Sequence, residues 1–240
     1  MTVLSTRQAK DNEVQLAKKM GFRLINYPVL RFSFREPGKQ ELDKLQEEAP
    51  DAWVFTSKNG VEGFMRIFEQ GMIPLKPKKI FAVGNKTASK LAEHGFTAGV
   101  AGTENGTALA NLIVDDPSVG SVVHFCGSRR RDELSVILTR QTILVTELVV
   151  YHAMEAHPPV ENLPSDVHAV LFYSPGSVNA FGSALDRYHD IPVVAIGSTT
   201  GEVLRQNTDK EVIIAEEAST ESMLKALAQF ASKKKNADKK

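Results

Sequence analysis

The sequence predicts an α/β protein of two flavodoxin-like parallel-sheet lobes joined by a two-stranded antiparallel linker, and three observations carry that prediction. The stretch at residues 52–64, AWVFTSKNGVEGF, returns at 169–181 as AVLFYSPGSVNAF. The next unit repeats too: KIFAVGNKTASKLAEHG at 79–95 answers PVVAIGSTTGEVLRQN at 192–207. Each copy of the first stretch is a short apolar run, then a Ser with Gly close behind, then apolar residues at helical spacing. That pattern reads as buried strand, tight turn and helix, and its duplication implies two halves of one design. The third observation is that strands and helices alternate with short connections, which argues for parallel sheets covered by helices on both faces.

In chain order, residues 3–6 form a short strand, Arg7 lies in a turn, and a helix runs from about 11 to 20, where Gly21 stops it. Residues 23–27 make a second strand. The segment 28–35, PVLRFSFR, alternates apolar and polar residues and ends at Pro37 and Gly38, so it predicts an extended ribbon with one exposed face. A helix over 40–48 precedes the first repeated strand, whose helix runs to about 70 before the loop GMIPLKPKK. A strand at 80–83, a helix at 86–94, a strand at 98–100 and a helix from about 105 to 114 follow. The run SVVHFCGSRRRDELSVIL is strand, glycine turn and a helix begun near Asp132. Residues 143–154, ILVTELVVYHAM, are long for one strand and again extended, and AHPPVENLPSD with its three prolines is a linker or surface loop.

The second copy, from 167 to about 230, supplies three strands and three helices, and the strands it lacks are available at 3–27. This predicts a discontinuous first lobe from residues 1–30 and 155–232 and a second lobe inserted at 37–146. Linker strands fall at 31–36 and 147–154 and run in opposite directions, and a disordered, lysine-rich tail occupies 233–240.

Composition narrows the function. The 240 residues hold 29 Lys plus Arg and 29 Asp plus Glu, so no global field draws the chain to nucleic acid or to a membrane. The single cysteine, Cys126, excludes an internal disulfide and leaves too few thiolates for a zinc or iron-sulfur site. The opening MTVLSTRQAKDNE has neither a long apolar run nor a signal-peptide profile, so the expected location is the cytoplasm. There is no G-x-G-x-x-G, Walker loop, G-x-S-x-G or H-E-x-x-H. His94, His124, His152, His157, His168 and His189 lack ligand spacing and read as structural or exposed, so no metal site is expected.

Sheets of this kind bind ligands beyond the carboxyl ends of their strands. Five turns there carry hydroxyl or amide residues ahead of a helix: Thr56, Ser57 and Asn59; Gly84, Asn85 and Thr87; Gly127 and Ser128; Ser174 and Gly176; Gly197, Ser198, Thr199 and Thr200. Helix starts expose unpaired amides, and the helix dipole favours an anion beside them. Any one of these residues reads as well as a simple cap of its own helix; five on the edges of two lobes favour an anion-lined cleft. Arg129, Arg130 and Arg131 are either a solvated charge run or an anion contact. Without interleaved aromatics, nucleic acid is not the expected partner.

Six strings in order, VFTSKNGVEGF, FAVGNKTASKL, HFCGSRRRDEL, VVYHA, LFYSPGSVNAF and AIGSTTGEVL, with Thr6 and Arg7 near the start, resemble uroporphyrinogen-III synthase over nearly the whole chain. The resemblance implies two α/β lobes joined by a two-stranded ribbon, the first built from both chain ends. It implies a lyase that closes hydroxymethylbilane with loss of water and inversion of the last pyrrole ring, giving uroporphyrinogen III, with no metal and no organic cofactor. The carboxylate-rich substrate would be held by the strand-end turns and by cations such as Arg7, Lys86 and Arg129. Loss of hydroxide from a pyrrole-substituted methylene is easy, because the ring nitrogen stabilises the cation left behind. The harder task is to fold the chain so that the substituted carbon of the last ring attacks, and to exclude water. One proton donor near the leaving hydroxyl would help.

Tyr151 matches the family position for that donor, and Thr200 matches a second family position. The sequence departs from the pattern where His152 follows Tyr151 and where the second copy has Ser-Pro-Gly in place of Ser-Lys-Asn. A monomer is expected. The alternative is a non-catalytic two-lobed module that closes on an anionic ligand such as a tetrapyrrole, in which Tyr151 would be dispensable.

Overall fold

The structure, a computed structural model, describes residues 1–74, 76–103, 105–156 and 158–237; His157 and the tail residues 238–240 lie outside the described residues. The chain forms two compact units, Met1–Arg31 with Met154–Lys240, and Phe32–Ala153. In order, the elements are β1 (Thr2–Ser5), α1 (Asp11–Lys19), β2 (Arg23–Asn26), β3 (Leu30–Phe34), α2 (Lys39–Glu48), β4 (Ala52–Phe55) and α3 (Lys58–Glu69). Next come β5 (Lys79–Ala82), α4 (Asn85–Ala92), β6 (Gly99–Val100), α5 (Gly106–Val114), β7 (Ser121–Gly127), α6 (Glu133–Arg140) and β8 (Leu144–Glu155). A 3-10 turn at Val160–Asn162 leads to β9 (Ala169–Phe172), α7 (Pro175–Phe181), a 3-10 segment at Gly182–Arg187, β10 (Val193–Ala195), α8 (Ser198–Asn207), β11 (Val212–Ile214) and α9 (Thr220–Ala237).

The first unit's sheet runs β2–β1–β9–β10–β11 with every pair parallel. Counted along that unit's own strands this is the order 2-1-3-4-5, the flavodoxin order. The other sheet runs β3–β8–β7–β4–β5–β6 and is parallel from β8 to β6. Its five parallel strands, β8–β7–β4–β5–β6, follow the same spatial order, with the chain entering at the third strand instead of the first. The repeated sequences therefore occupy equivalent strands, β4 with β9 and β5 with β10.

The equivalence extends to single bonds. Val83 N–H donates to the Phe55 carbonyl at 3.0 Å, and Ile196 N–H donates to the Phe172 carbonyl at 3.0 Å.

Both central strands are buried at all four positions because helices cover both faces. Alternation sends Trp53 and Phe55 into one cluster with Phe64, Phe125 and Leu148, and Ala52 and Val54 into another with Leu109, Ile113 and Leu138. In the first unit, Val170 and Phe172 meet Val178, Phe181 and Leu204, while Ala169 and Leu171 meet Ala17, Met223 and Leu227. Aromatic rings dominate the first of these cores, with Trp53 edge-on to Phe64 at 4.9 Å and Phe55 stacked on Phe125 at 5.1 Å.

The two extended segments carry the chain between the units. The Arg35 amide donates to the Val150 carbonyl at 2.9 Å and the Ala156 amide to the Val29 carbonyl at 2.8 Å, a pairing that runs antiparallel. Gly21, at φ +80°, ends the turn after α1 in the left-handed region as the sequence predicts. The tail departs from expectation: α9 continues to Ala237, past residue 233, where the sequence reading places the start of disorder. Lysine and alanine are good helix formers, no Gly or Pro interrupts them, and cations suit a helix carboxyl end.

Helix α3 approaches the sheet closely because glycine lines its inner face. A Cβ at Gly60 would lie 2.6 Å from the Phe125 carbonyl oxygen, and one at Gly63 would lie 2.7 Å from the Val150 carbonyl oxygen. Gly63→Ala should therefore destabilise the protein by about 2 kcal/mol, outweighing the ~1 kcal/mol that alanine adds to helix propensity. Gly102→Ala, which meets nothing within 4 Å, should leave the urea midpoint unchanged.

Candidate active site

In a sheet of order 2-1-3-4-5, neighbouring strands send their connections in opposite directions between the first and third strands, and ligands bind beyond the carboxyl ends at that switch point. The switch lies between β1 and β9 in one unit and between β7 and β4 in the other.

In the unit of residues 32–153, β4 is followed by Thr56 and Ser57. Ser57 has an extended backbone and caps α3, its Oγ accepting from the Gly60 amide at 3.0 Å. The same Oγ lies 3.1 Å from the Tyr151 hydroxyl. Tyr151 is 8% exposed, and burial raises its phenol above the ordinary value, with the Ser57 bond acting the other way. The phenol is protonated at neutral pH and has its oxygen at the carboxyl edge of the sheet.

A bulge aims that ring. Cys126 pairs with Val149 but Gly127 pairs with Tyr151, so β8 carries an extra residue. Leu148 and Val150 face the aromatic core, and strict alternation would turn Tyr151 to the opposite face; the bulge brings it to the same one. Gly127 makes the room, since a Cβ there would lie 2.5 Å from Tyr151 Cζ.

Thr56 points inward, its Oγ1 2.8 Å from His124 Nε2. His124 is 1% exposed and its Nδ1 has no hydrogen-bond partner. Burial holds its pKa down to about 4, against the pull of Glu147. Cys126, two residues on, is pushed by burial up to about 12 and is no nucleophile at neutral pH.

The remaining candidates of this unit fall at the same edge. Gly84, buried and extended, precedes α4 without a side-chain cap; Asn85 and Lys86 are exposed, Asn59 is half-buried and Thr87 is 5% exposed. The turn after β7 is longer than the others: Ser128 and Arg129 are exposed, and α6 begins at Glu133, as the reading of a helix begun near Asp132 expects. An arginine run opposes a helix amino end while Glu133 suits it, so the helix starts after the arginines. The Ser128 amide is occupied, donating to the Tyr151 carbonyl at 3.0 Å. Arg130 is paired with Glu147.

In the first unit, Ser174 caps α7 as Ser57 caps α3, accepting from the Ser177 amide at 3.1 Å, and Ser177 Oγ donates back to the Ser174 carbonyl at 2.7 Å. Gly176 sits in the first turn, 3.5 Å for a built Cβ from Leu30 Cδ1. Gly197 is extended and caps α8, Thr199 is exposed, and Thr200 is 3% exposed. Thr200 and Thr87 occupy the same helical position after equivalent glycines, and both are buried.

Arg7 is engaged within its own unit. Its guanidinium reaches Glu13 at 2.5 Å and Thr220 Oγ1 at 3.0 Å and stacks over the Tyr173 ring at 4.1 Å. Burial works against the Glu13 carboxylate, but bonds from Arg7, Thr220 and the Lys10 amide carry it below its usual value. Among the described residues, no group of three His, Cys, Asp or Glu side chains could hold a metal ion, and no helix is long and apolar enough to cross a membrane.

Residues 11–225 match the family described as "HEM4: Uroporphyrinogen-III synthase HemD". The chain belongs to the uroporphyrinogen-III synthase family. Solved structures agree in fold. A mutant uroporphyrinogen III synthase from the extremely thermophilic bacterium Thermus thermophilus aligns at a TM-score of 0.71 and 21% identity over 97% of this chain and 99% of that one. Uroporphyrinogen-III synthetase from Helicobacter pylori aligns at 0.67 and 19% identity over 95% of this chain and 99% of that one. The family is one of lyases, and the carboxyl-end turns with Tyr151 are the candidate site.

Sequence reasoning missed three features of that site: the Ser57–Tyr151 bond, the inward Thr56–His124 bond, and the bulge that aims Tyr151. A glycine opposite a family tyrosine is the one sequence signal that could have suggested the close packing.

Two outcomes follow from the buried residues. The folded His124 has a pKa of about 4 against an ordinary 6.5, so its burial costs nothing above pH 6.5 and stability is lost as pH falls from 6.5 toward 4. Between about pH 7 and about pH 5, wild type should lose about 2 kcal/mol more than His124→Gln, read from urea unfolding at each pH. Because Gly197 is the cap of α8, Thr200→Met crowds a buried position and should cost about 1–3 kcal/mol, seen as a lower melting temperature.

Proposed function

We propose that this chain closes hydroxymethylbilane to uroporphyrinogen III with loss of water and inversion of the last ring, and that Tyr151 is its proton donor. What carries the reading, given the family, is one contact: a protonated phenol at the carboxyl edge of a parallel sheet, 3.1 Å from the serine hydroxyl that caps the adjoining helix.

The Gly60 amide occupies one lone pair of Ser57 Oγ. With Ser57 donating to the Tyr151 oxygen, the phenol proton is free to reach the leaving hydroxyl. The carbon–oxygen bond then breaks, water departs, and the phenolate left behind keeps the Ser57 bond. The pyrrole nitrogen holds the positive charge on the substrate. The substituted carbon of the last ring must meet that cation; the bond from that carbon to the methylene it already carries then breaks, the freed methylene joins the unsubstituted carbon on the other side of the ring nitrogen, which inverts the ring, and the proton lost from that carbon restores the phenol. A donor of raised pKa suits this order of events, since it arrives protonated at any pH near neutral.

The substrate's carboxylates would be gripped by the helix starts at Ser57, Gly84, Ser174 and Gly197 with help from exposed Lys86 and Arg129. The half-site of the first unit would act by shape and by its amides more than by Arg7, whose charge is already answered by Glu13. Each helix start contributes modestly, about 0.3–1 kcal/mol per anion, so several are needed.

The deciding experiment supplies hydroxymethylbilane and resolves the isomers. The inverted isomer should be the major product of wild type, and Tyr151→Phe should lower kcat by about 100-fold or more with the melting temperature unchanged. Binding of hydroxymethylbilane without conversion would identify a non-catalytic module instead.

A further inference from the structure

Of the twelve phenylalanines, Phe32 alone is exposed, at 47%. It sits on β3 beside β8, and its ring meets the Tyr151 ring edge-on, with centroids 6.0 Å apart and planes at 63°. Both residues belong to the same compact unit.

A single exposed apolar residue needs no explanation by itself. Phe32 calls for one because of where it stands and how firmly it is held. Its strand is pinned three residues on, where the Arg35 amide donates to the Val150 carbonyl at 2.9 Å, the Arg35 guanidinium donates to the Val149 carbonyl at 3.0 Å, and the same guanidinium pairs with Glu41. Next along the same face, Phe34 is already covered, with the Arg66 guanidinium 4.0 Å over its ring. At 47% exposure the Phe32 ring keeps part of its surface open beside Tyr151, and an aromatic face attracts cations.

We propose that Phe32 is a catalytic residue of the reaction proposed above: its open ring face holds the pyrrole-stabilised cation left when water departs, and its apolar body keeps water from recapturing it. The proposal rests on that reaction, in which the bond between the methylene carbon and its hydroxyl breaks and Tyr151 supplies the proton. The cation forms beside the phenol, and Phe32 is the aromatic face adjoining the phenol. Recapture by the departing water would simply regenerate hydroxymethylbilane, so an apolar ring set against the cation raises the fraction that go on to close.

The test compares wild type with Phe32→Leu, which stays apolar, and Phe32→Trp, which keeps a π face. Phe32→Leu should lower kcat about tenfold with KM within about twofold, and Phe32→Trp should stay within about threefold of wild type. In oxygen-18 water, Phe32→Leu should also speed the appearance of label in unreacted hydroxymethylbilane relative to wild type, a readout that lost packing alone would not move. Equal melting temperatures for the variants would accompany this result, since the side chain is half in solvent. Wild-type kcat and wild-type exchange in Phe32→Leu would overturn the role of Phe32 while leaving the reaction standing. A rise in KM alone would make it a binding contact and overturn its hold on the cation. Failure of wild type to form the inverted isomer would overturn the reaction itself, and this role with it.

Discussion

A parallel sheet has to be covered on both faces, and that constraint organises everything else in this protein. Each strand must hand over to a helix that crosses back before the next strand begins, so every strand-to-helix turn of a sheet falls on one edge. Ser57, Gly84 and Gly127 are far apart in sequence and come to the same edge for this reason, as do Ser174 and Gly197 in the other unit. The cores that enforce the arrangement are dense. Trp53, Phe55, Phe64 and Phe125 are each at most 1% exposed, and burying a side chain of this size stabilises by roughly 2–3 kcal/mol before its ordering entropy is counted.

The duplicated half-sites keep the same backbone and differ in chemistry. Ser57 and Ser174 make the same cap, and Gly84 and Gly197 begin equivalent helices from equivalent extended conformations. Beyond the backbone the two diverge. Ser57 adds a phenol from β8, two strands away, in surroundings apolar enough to keep it protonated, with Phe32 beside it. Ser174 has only its own capping box, and the charge nearby is bound up among Arg7, Glu13 and Thr220. The two units thus share a backbone design and differ in the side chains set at its strand ends.

Most of the fold was legible in the residues. Periodicity located the strands and helices because buried strands here are short apolar runs and most helices begin at Ser, Asn, Asp or Gly and end near Gly or polar residues. The repeat revealed the related sheets, and the shortage of strands after residue 167 pointed to those at the amino end. The start of α6 just after Asp132 was legible as well, since an arginine run opposes a helix amino end and Glu133 suits it. One local detail went astray for an identifiable cause. The lysine-rich tail proved helical as far as Ala237, because composition that looks disordered in isolation is also good helix sequence when a docked helix precedes it. No local pattern announces Glu13 and Thr220 as the partners of Arg7.

By itself the sequence determined the class of fold, the pairing of its repeated parts and the family, since these depend on residue type and spacing along the chain. Only the tertiary structure decided which side chains meet. The bulge opposite Gly127 breaks the two-residue alternation on which any strand reading depends, so the facing of Tyr151 toward Ser57 and Phe32 could not be counted off along β8. It is settled by the fit of one ring against a neighbouring strand that has no Cβ to obstruct it.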